Sequence, residues 1–382
     1  MDFIGLKSQY EGLKSGIQER INTVLEHQRF IMGPEVEELE RQLAAFAGTR
    51  YCVSCASGTD ALLMALMSKD VGPGDAIFTT SFSFIATAEV ISFLGATPVF
   101  VDIDVRTFTM DTEKLKEAVE TVKAGGKPSP GSPAGLKPTG IIPVDLFGLP
   151  ADYEILEPYA KEEGLFILED AAQGFGSSIN GKKAGSFGDV AATSFFPVKP
   201  LGCYGDGGAV FTYDDDTAAT IQSIRTHGKG SEKYDNVRIG INGRLDTLQA
   251  AILLSKLEVF AEEFQTRQDM AARYSEGLKD LVTVPHVPEG YKSAWAQYSV
   301  LSPLRGEIMS GLKERGVPTA VYYPKPLHQQ TAFAELRYEE GHLPVSEKVS
   351  KEIFSLPMHP YLRERDQNEI IDVIATACDK IT

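Results

Sequence analysis

The sequence predicts an α/β protein: a large domain built on a mainly parallel sheet, followed by a smaller C-terminal α+β domain. Three observations carry this. At 382 residues the chain exceeds the size at which one hydrophobic core usually stops growing. Short apolar runs alternate with helix-length segments along its first half. Those runs are almost continuously apolar, as expected of parallel strands buried on both faces.

Taken in order, Gly33-Pro34 opens a helical stripe through Val36, Leu39, Leu43 and Phe46, which Gly48 is placed to stop. The apolar Tyr51-Cys52-Val53 precedes a turn of small residues, 56–60, from which a second helical pattern leaves. Strands are expected at 76–79, 98–101, 140–144 and 165–168, with helices between them. Residues 123–138, rich in Gly, Pro, Lys and Ser, read as a long surface loop between a helix and a strand. A helical stretch over 245–263 leads out of the large domain, so the expected division is 1–250 and 251–382, with the linking helix in the second part. Ligands should lie at the carboxyl ends of the strands.

Composition narrows the function classes. Apolar residues make up 43% and charged residues 24%, ordinary for a globular chain. No run of about 18 apolar residues occurs, and the N-terminus lacks the pattern of a leader, so a cytoplasmic protein without membrane association is expected. Four cysteines are too few for a disulfide framework. Cys52-x-x-Cys55 has the spacing of half a zinc site but lacks a second Cys/His pair, so no metal is assigned. The net charge of −16 would repel a phosphate backbone at long range, and no Lys/Arg run offsets it, which argues against a nucleic-acid partner.

Three segments carry chemistry. In Ala56-Ser57-Gly58-Thr59-Asp60 a small-residue turn opens a helix, where free backbone N–H groups and the Ser57 and Thr59 hydroxyls could take an anion; alone it is equally an ordinary cap. In Leu168-Glu169-Asp170-Ala171-Ala172-Gln173 a carboxylate stands just past an apolar strand. Fixed beside a pyridine nitrogen, it would keep that ring protonated. In Phe196-Pro197-Val198-Lys199-Pro200-Leu201-Gly202 a lysine sits on rigid backbone, and an apolar setting would favour the neutral amine that Schiff-base formation needs. The glycines after Lys199 follow a lysine rather than a strand, which is no dinucleotide fingerprint.

Together these segments resemble the DegT/StrS family of nucleotide-sugar aminotransferases. The similarity extends through Ser83-Phe84-Ile85-Ala86-Thr87, Arg225-Thr226-His227-Gly228 and Asn242-Gly243-Arg244-Leu245-Asp246-Thr247 to nearly the whole chain. It implies the fold type I aminotransferase architecture, pyridoxal 5'-phosphate as cofactor, and a homodimer with shared active sites. By position, Lys199 resembles the Schiff-base lysine and Asp170 the partner of the pyridine nitrogen. Gln173 would lie near the ring hydroxyl and Phe84 against the ring face. Gly58, Thr59 and Ser194 resemble the phosphate binders, with Ser57 nearby, and Asn242 the phosphate ligand from the neighbouring subunit.

The segments 193–208, 244–254, 296–298 and 355–362 most resemble a subgroup that aminates C3 of a UDP-linked 2-acetamido-3-keto hexuronic acid, with glutamate as donor, for bacterial surface polysaccharide such as lipopolysaccharide O-antigen. Tyr322-Tyr323-Pro324 stands where many relatives have His-Tyr-Pro; Tyr322 and Tyr323 are candidate substrate-binding residues facing the sugar, so other UDP- or dTDP-linked keto-sugars remain alternatives. Arg244 is a candidate carboxylate or phosphate ligand because a guanidinium binds such groups bidentately, and Lys325 is a second. A sugar dehydratase of the same family would carry histidine in place of Lys199. A non-catalytic regulator would have no need to keep Lys199, Asp170 and the phosphate turn together. His227 and Trp295 are expected in structural roles.

Overall fold

In the computed structural model, residues 1–232 and 234–379 are described. Seven strands form the main sheet: β1 (Tyr51–Cys55), β2 (Asp75–Thr80), β3 (Thr97–Val101), β4 (Lys137–Ile142), β5 (Phe166–Asp170), then β8 (Val190–Ser194) and β9 (Gly208–Thr212) after the short β6 (Ser178–Ile179) and β7 (Lys182–Lys183). Their order is β1-β9-β8-β5-β4-β2-β3. Only β9 runs against its neighbours; pairing from β8 through β3 is parallel. The four strands expected from apolar runs are present as β2 to β5.

Period-2 alternation distributes these strands between two layers. Ile77, Ile142, Leu168 and Val210 face α3 (Gly58–Ser68), α4 (Ala86–Phe93) and α7 (Asp215–Ile224), burying Leu62, Leu66, Ile91 and Ile221. Phe78, Ile141 and Ile167 face the other way, onto α5 (Thr112–Lys123) and α6 (Tyr153–Glu163). On that same side of the β8–β9 end, Ala191 and Phe211 meet Leu39 and Leu43 of α2 (Pro34–Ala47) and Leu253 of α8 (Thr247–Leu257). Helix ends follow local chemistry. Pro34 occupies the first turn of α2, and Gly48 closes it with φ +79°, where a side chain would be strained. Asp111 caps α5 by accepting from the backbone N–H groups of Glu113 and Lys114.

The core changes partners along α9 (Phe260–Leu278): Phe260 still packs with Phe175 and Phe211, whereas Met270, Tyr274 and Leu278 enter a separate cluster. That cluster is built on the antiparallel pair β11 (Tyr298–Leu301) and β12 (Ile353–Leu356), covered by α10 (Arg305–Glu314) and α12 (Glu364–Asp379). The helix α11 (Pro344–Glu352) returns toward the large sheet, where the Val345 and Ser346 N–H groups donate to Asp102. The short β10 (Tyr291–Lys292) pairs with β6, and α1 (Leu6–His27) packs along α8. Residues 124–136 do link helix α5 to strand β4. They are not mere surface decoration, because Ser129, Ser132 and Leu136 are buried. Among the described residues no helix is long and apolar enough to cross a membrane.

Candidate active site

The carboxyl ends of the strands gather the sequence candidates. Asp170 terminates β5 and is only 4% exposed. Its Oδ2 accepts a hydrogen bond from the Thr87 hydroxyl at 2.7 Å, and its Oδ1 accepts from the Ala172 N–H at 3.2 Å. Burial pushes its pKa upward, against the two hydrogen bonds and the nearby Lys199, which favour the charged form. Lys199 follows β8 in a turn closed by its N–H to the Phe196 carbonyl at 2.8 Å. Desolvation lowers the pKa of its amine, and the Asp170 charge only partly offsets that. The site thus holds an amine whose proton is loosened and a carboxylate short of counter-charge.

The turn after β1 is pressed against the end of β8. Ser57 caps α3, its Oγ accepting from the Asp60 N–H at 3.0 Å, and the Gly58 and Thr59 N–H groups lie in the first helical turn, where no intrahelical acceptor exists. A Cβ at Gly58 would come within 2.7 Å of Ser194 Cβ, and one at Gly208 would overlap the Ser57 carbonyl. Glycine at both positions lets β8, β9 and the turn approach closely. Ser57, Gly58, Thr59 and Ser194 therefore form one group at a helix N-terminus, the geometry that takes an anion.

Gln173 is buried, with both ends of its amide engaged: Oε1 accepts from the Phe147 N–H at 2.9 Å, and Nε2 donates to the Tyr323 hydroxyl at 3.2 Å. The Tyr323 ring lies 6.0 Å from Phe82 and 6.5 Å from Phe84, and Phe84 is 54% exposed. Tyr322 is half-buried beside it. Two candidates are not brought into this cluster by any hydrogen bond among the described residues. Asn242 is exposed at the foot of a hairpin that pairs with Thr226, and Lys325 is exposed, engaged only through its carbonyl. Arg244 has a buried Nε without a hydrogen-bond partner among the described residues.

The hairpin's base is tied to the anion turn. The Ala56 N–H donates to the Gly243 carbonyl, and the Gly243 N–H donates to the Arg225 carbonyl. Arg225, 4% exposed, pairs with Glu40 and donates to the Ser54 carbonyl at 2.8 Å, while Glu40 also accepts from the Ser54 N–H. His227 is exposed, and Trp295 is buried with its indole N–H on Gln268. Cys52 and Cys55 are buried thiols. Sequence reasoning gave Thr87 no role, although a hydroxyl early in the helix that follows β2 is a usable signal. The Gln173–Tyr323 contact had none, since its partners are 150 residues apart.

Residues 12–375 match the model of the DegT/DnrJ/EryC1/StrS aminotransferase family. The chain belongs to that family. It is similar to the UDP-2-acetamido-2-deoxy-3-oxo-D-glucuronate aminotransferase of Pseudomonas aeruginosa, 47% identical over 95% of this chain and 96% of that one. Among solved structures it is similar to a DegT DnrJ EryC1 StrS aminotransferase from Brucella abortus, with 49% identity, a TM-score of 0.94 and coverage of 99% of both chains. NtdA from Bacillus subtilis, solved with bound cofactor PMP, is 27% identical with a TM-score of 0.86, covering 96% of this chain and 82% of that one. The fold is accordingly that of the family's aminotransferases, an α/β architecture with a mainly parallel central sheet.

Proposed function

We propose that this family member is a pyridoxal-phosphate aminotransferase that moves an amino group from glutamate to the C3 keto group of a UDP-linked 2-acetamido-3-keto hexuronic acid. The observation that carries the reaction is the meeting of Lys199, Asp170 and the Ser57–Ser194 anion turn at one edge of the sheet. Each fits one part of the cofactor. A free helix N-terminus suits the phosphate, a buried carboxylate short of counter-charge suits a protonated ring nitrogen, and an amine with a loosened proton suits the aldehyde. When bound, pyridoxal phosphate supplies the electron sink that stabilises a carbanion at the donor carbon.

The chain's own residues supply the rest. Lys199 would hold the cofactor through its amine, and its loosened proton fits it to act as the general acid and base toward the donor. Asp170, oriented by Thr87 and the Ala172 N–H, keeps the proton on the ring nitrogen. Phe84 would offer a face to the ring and Gln173 would lie near the ring hydroxyl, while the Gln173 amide holds Tyr323 toward the substrate side. The uronate assignment draws its support from the Pseudomonas aeruginosa relative. Arg244, whose buried Nε has no hydrogen-bond partner among the described residues, is the first candidate for an anionic group of the substrate.

The working unit in this reading is a cytoplasmic homodimer in which Asn242 reaches the partner's phosphate. Support comes from the hairpin itself, which carries exposed Asn242 together with Val237 and Ile239, 56% and 86% exposed. The same reading divides the chain into a cofactor domain, 1–250, and a smaller domain, 251–382, and places the product in surface polysaccharide biosynthesis. Incubation with glutamate and a panel of UDP-linked keto-sugars, read by mass spectrometry, tests it. The 3-keto uronate should gain an amino group. A product formed only from a neutral keto-sugar would reject the substrate, and no amination with any of them would reject the reaction.

A further inference from the structure

Residues 124–136, between α5 and β4, are fastened to a stretch of chain two hundred positions further on. The Gly131 N–H donates to the Leu336 carbonyl at 3.0 Å. A Cβ at Gly131 would overlap the Glu335 carbonyl, so the two backbones meet only because the residue is glycine. Beside it Ser129 and Ser132 are 3% and 1% exposed and share a 2.6 Å hydroxyl hydrogen bond. The Tyr338 hydroxyl accepts from the Phe100 N–H of β3 at 3.1 Å and is in hydrogen-bonding reach of Ser129. Its ring meets Phe100 and His328 edge-on at 5.6 and 5.8 Å. Loop, sheet edge and C-terminal segment therefore converge at one phenol.

What is fastened there is the far end of the segment that carries Tyr322 and Tyr323. The segment begins at Tyr322 and Tyr323, the latter on Gln173, passes the exposed Lys325, and rejoins the sheet where the Leu327 N–H donates to the Ser81 carbonyl at 2.7 Å. Leu327 and Phe333 then bury against Phe100 and Ala88, with Leu336 and Tyr338 packed on the same cluster. Ala88 follows Thr87, the hydroxyl that holds Asp170. No hydrogen bond among the described residues joins 124–136 to Lys199, Asp170 or the anion turn. Its contacts fall on the 322–338 segment, which itself meets the cofactor candidates through Tyr323 on Gln173 and Phe84.

We propose that the 124–136 loop, through Ser129 and Gly131 against Tyr338 and Leu336, positions the 322–338 segment as the wall of the acceptor-sugar site and so sets affinity for the nucleotide sugar. This rests on the reading above that Tyr322, Tyr323 and Lys325 face the sugar. Ser129, Gly131 and Tyr338 are positioning residues, acting on the sugar half of the reaction and leaving the glutamate half untouched.

Tyr338→Phe and Ser129→Ala test this with packing retained, and Gly131→Ala forces the backbones apart; should the last fail to fold, the two hydroxyl variants suffice. For Tyr338→Phe, which leaves the Phe100 N–H without its acceptor, KM for the keto-sugar should rise about five- to tenfold, with kcat and the single-turnover rate with glutamate unchanged. Hydrogen exchange across 322–338 should quicken in the same variant. Affinity is also read without turnover, by calorimetric titration of parent and variant with UDP-N-acetylglucosamine. If the assigned reaction is wrong, all proteins are inert on the keto-sugar while titration still separates them. Three results overturn the inference: unchanged exchange in 322–338, quickened exchange with unchanged sugar affinity, or an equal fall in the glutamate half-reaction.

Discussion

Replacing Asp145 by Asn should stabilise the protein at neutral pH and change little near pH 4. Asp145 follows β4, and its N–H donates to the carbonyl of Asp170 at 3.0 Å. The side chain is 0% exposed. Its Oδ1 accepts from the Ala151 N–H at 3.1 Å and the Tyr153 hydroxyl at 2.9 Å, while Oδ2 meets no donor among the described residues, and the carboxyl interacts with that of Glu169. Glu169 is also 0% exposed and accepts from the N–H groups of Gly185 and Phe187. Burial raises both carboxyls, Asp145 from 3.8 to about 7. The folded value therefore lies above the unfolded one. Between the two the unfolded chain gives up a proton that the folded chain keeps, so stability falls as pH rises through that window. The loss accrues at about 1.4 kcal/mol per pH unit across that window and levels off above the folded value. Asparagine keeps the Oδ1 contacts and offers an amide N–H to Glu169. The gap between variant and parent, read as urea midpoints from about pH 4 to about pH 8, should widen up to pH 7 and then hold. A gap independent of pH would mean that Asp145 does not carry a proton into the folded state, and the reasoning would be refuted.

Lys199→Ala should lose both turnover and borohydride-trapped cofactor; trapping on another lysine, located by peptide mass spectrometry, would displace Lys199 from its role. In the parent, the acid limb of the glutamate half-reaction should fall below the ordinary lysine range, because burial lowers the amine's pKa; a limb at the value of free lysine would contradict that. Arg225→Ala leaves Glu40 without its buried cation and should cost about 3–5 kcal/mol in chemical denaturation, with a loss below 1 kcal/mol showing that the Ser54 contacts alone satisfy Glu40. Arg244→Ala should impair amination of the uronate by about 2–5 kcal/mol more than that of the matching sugar with CH₂OH at C6, and equal losses on both would show that Arg244 does not read C6. Mixing inactive Lys199→Ala and Asn242→Ala subunits should restore partial activity, since one site of each mixed dimer is intact; no recovery in verified mixed dimers would exclude a composite site.

The strands β2 to β5, the stop at Gly48 and the helix start at Ser57 were legible in the amino-acid order, because apolar periodicity, glycine at positive φ and a capping hydroxyl are signals confined to a few neighbouring residues. It also singled out Asp170, by its place just past an apolar run, and Lys199, by its Pro- and Gly-flanked backbone. The pairings between distant positions had to come from the folded chain. β9 slots antiparallel between β1 and β8, although its own residues carry no mark of direction. Thr87 reaches Asp170 across 83 residues, and the Asp145 carboxyl interacts with that of Glu169. Residues 124–136 have the composition of a free surface loop, yet Ser129 and Gly131 dock on Tyr338 and Leu336. Composition reports what a segment can solvate, whereas a hydrogen bond between remote side chains depends on how sheet and helices bring them within about 3 Å, and no local pattern encodes that distance.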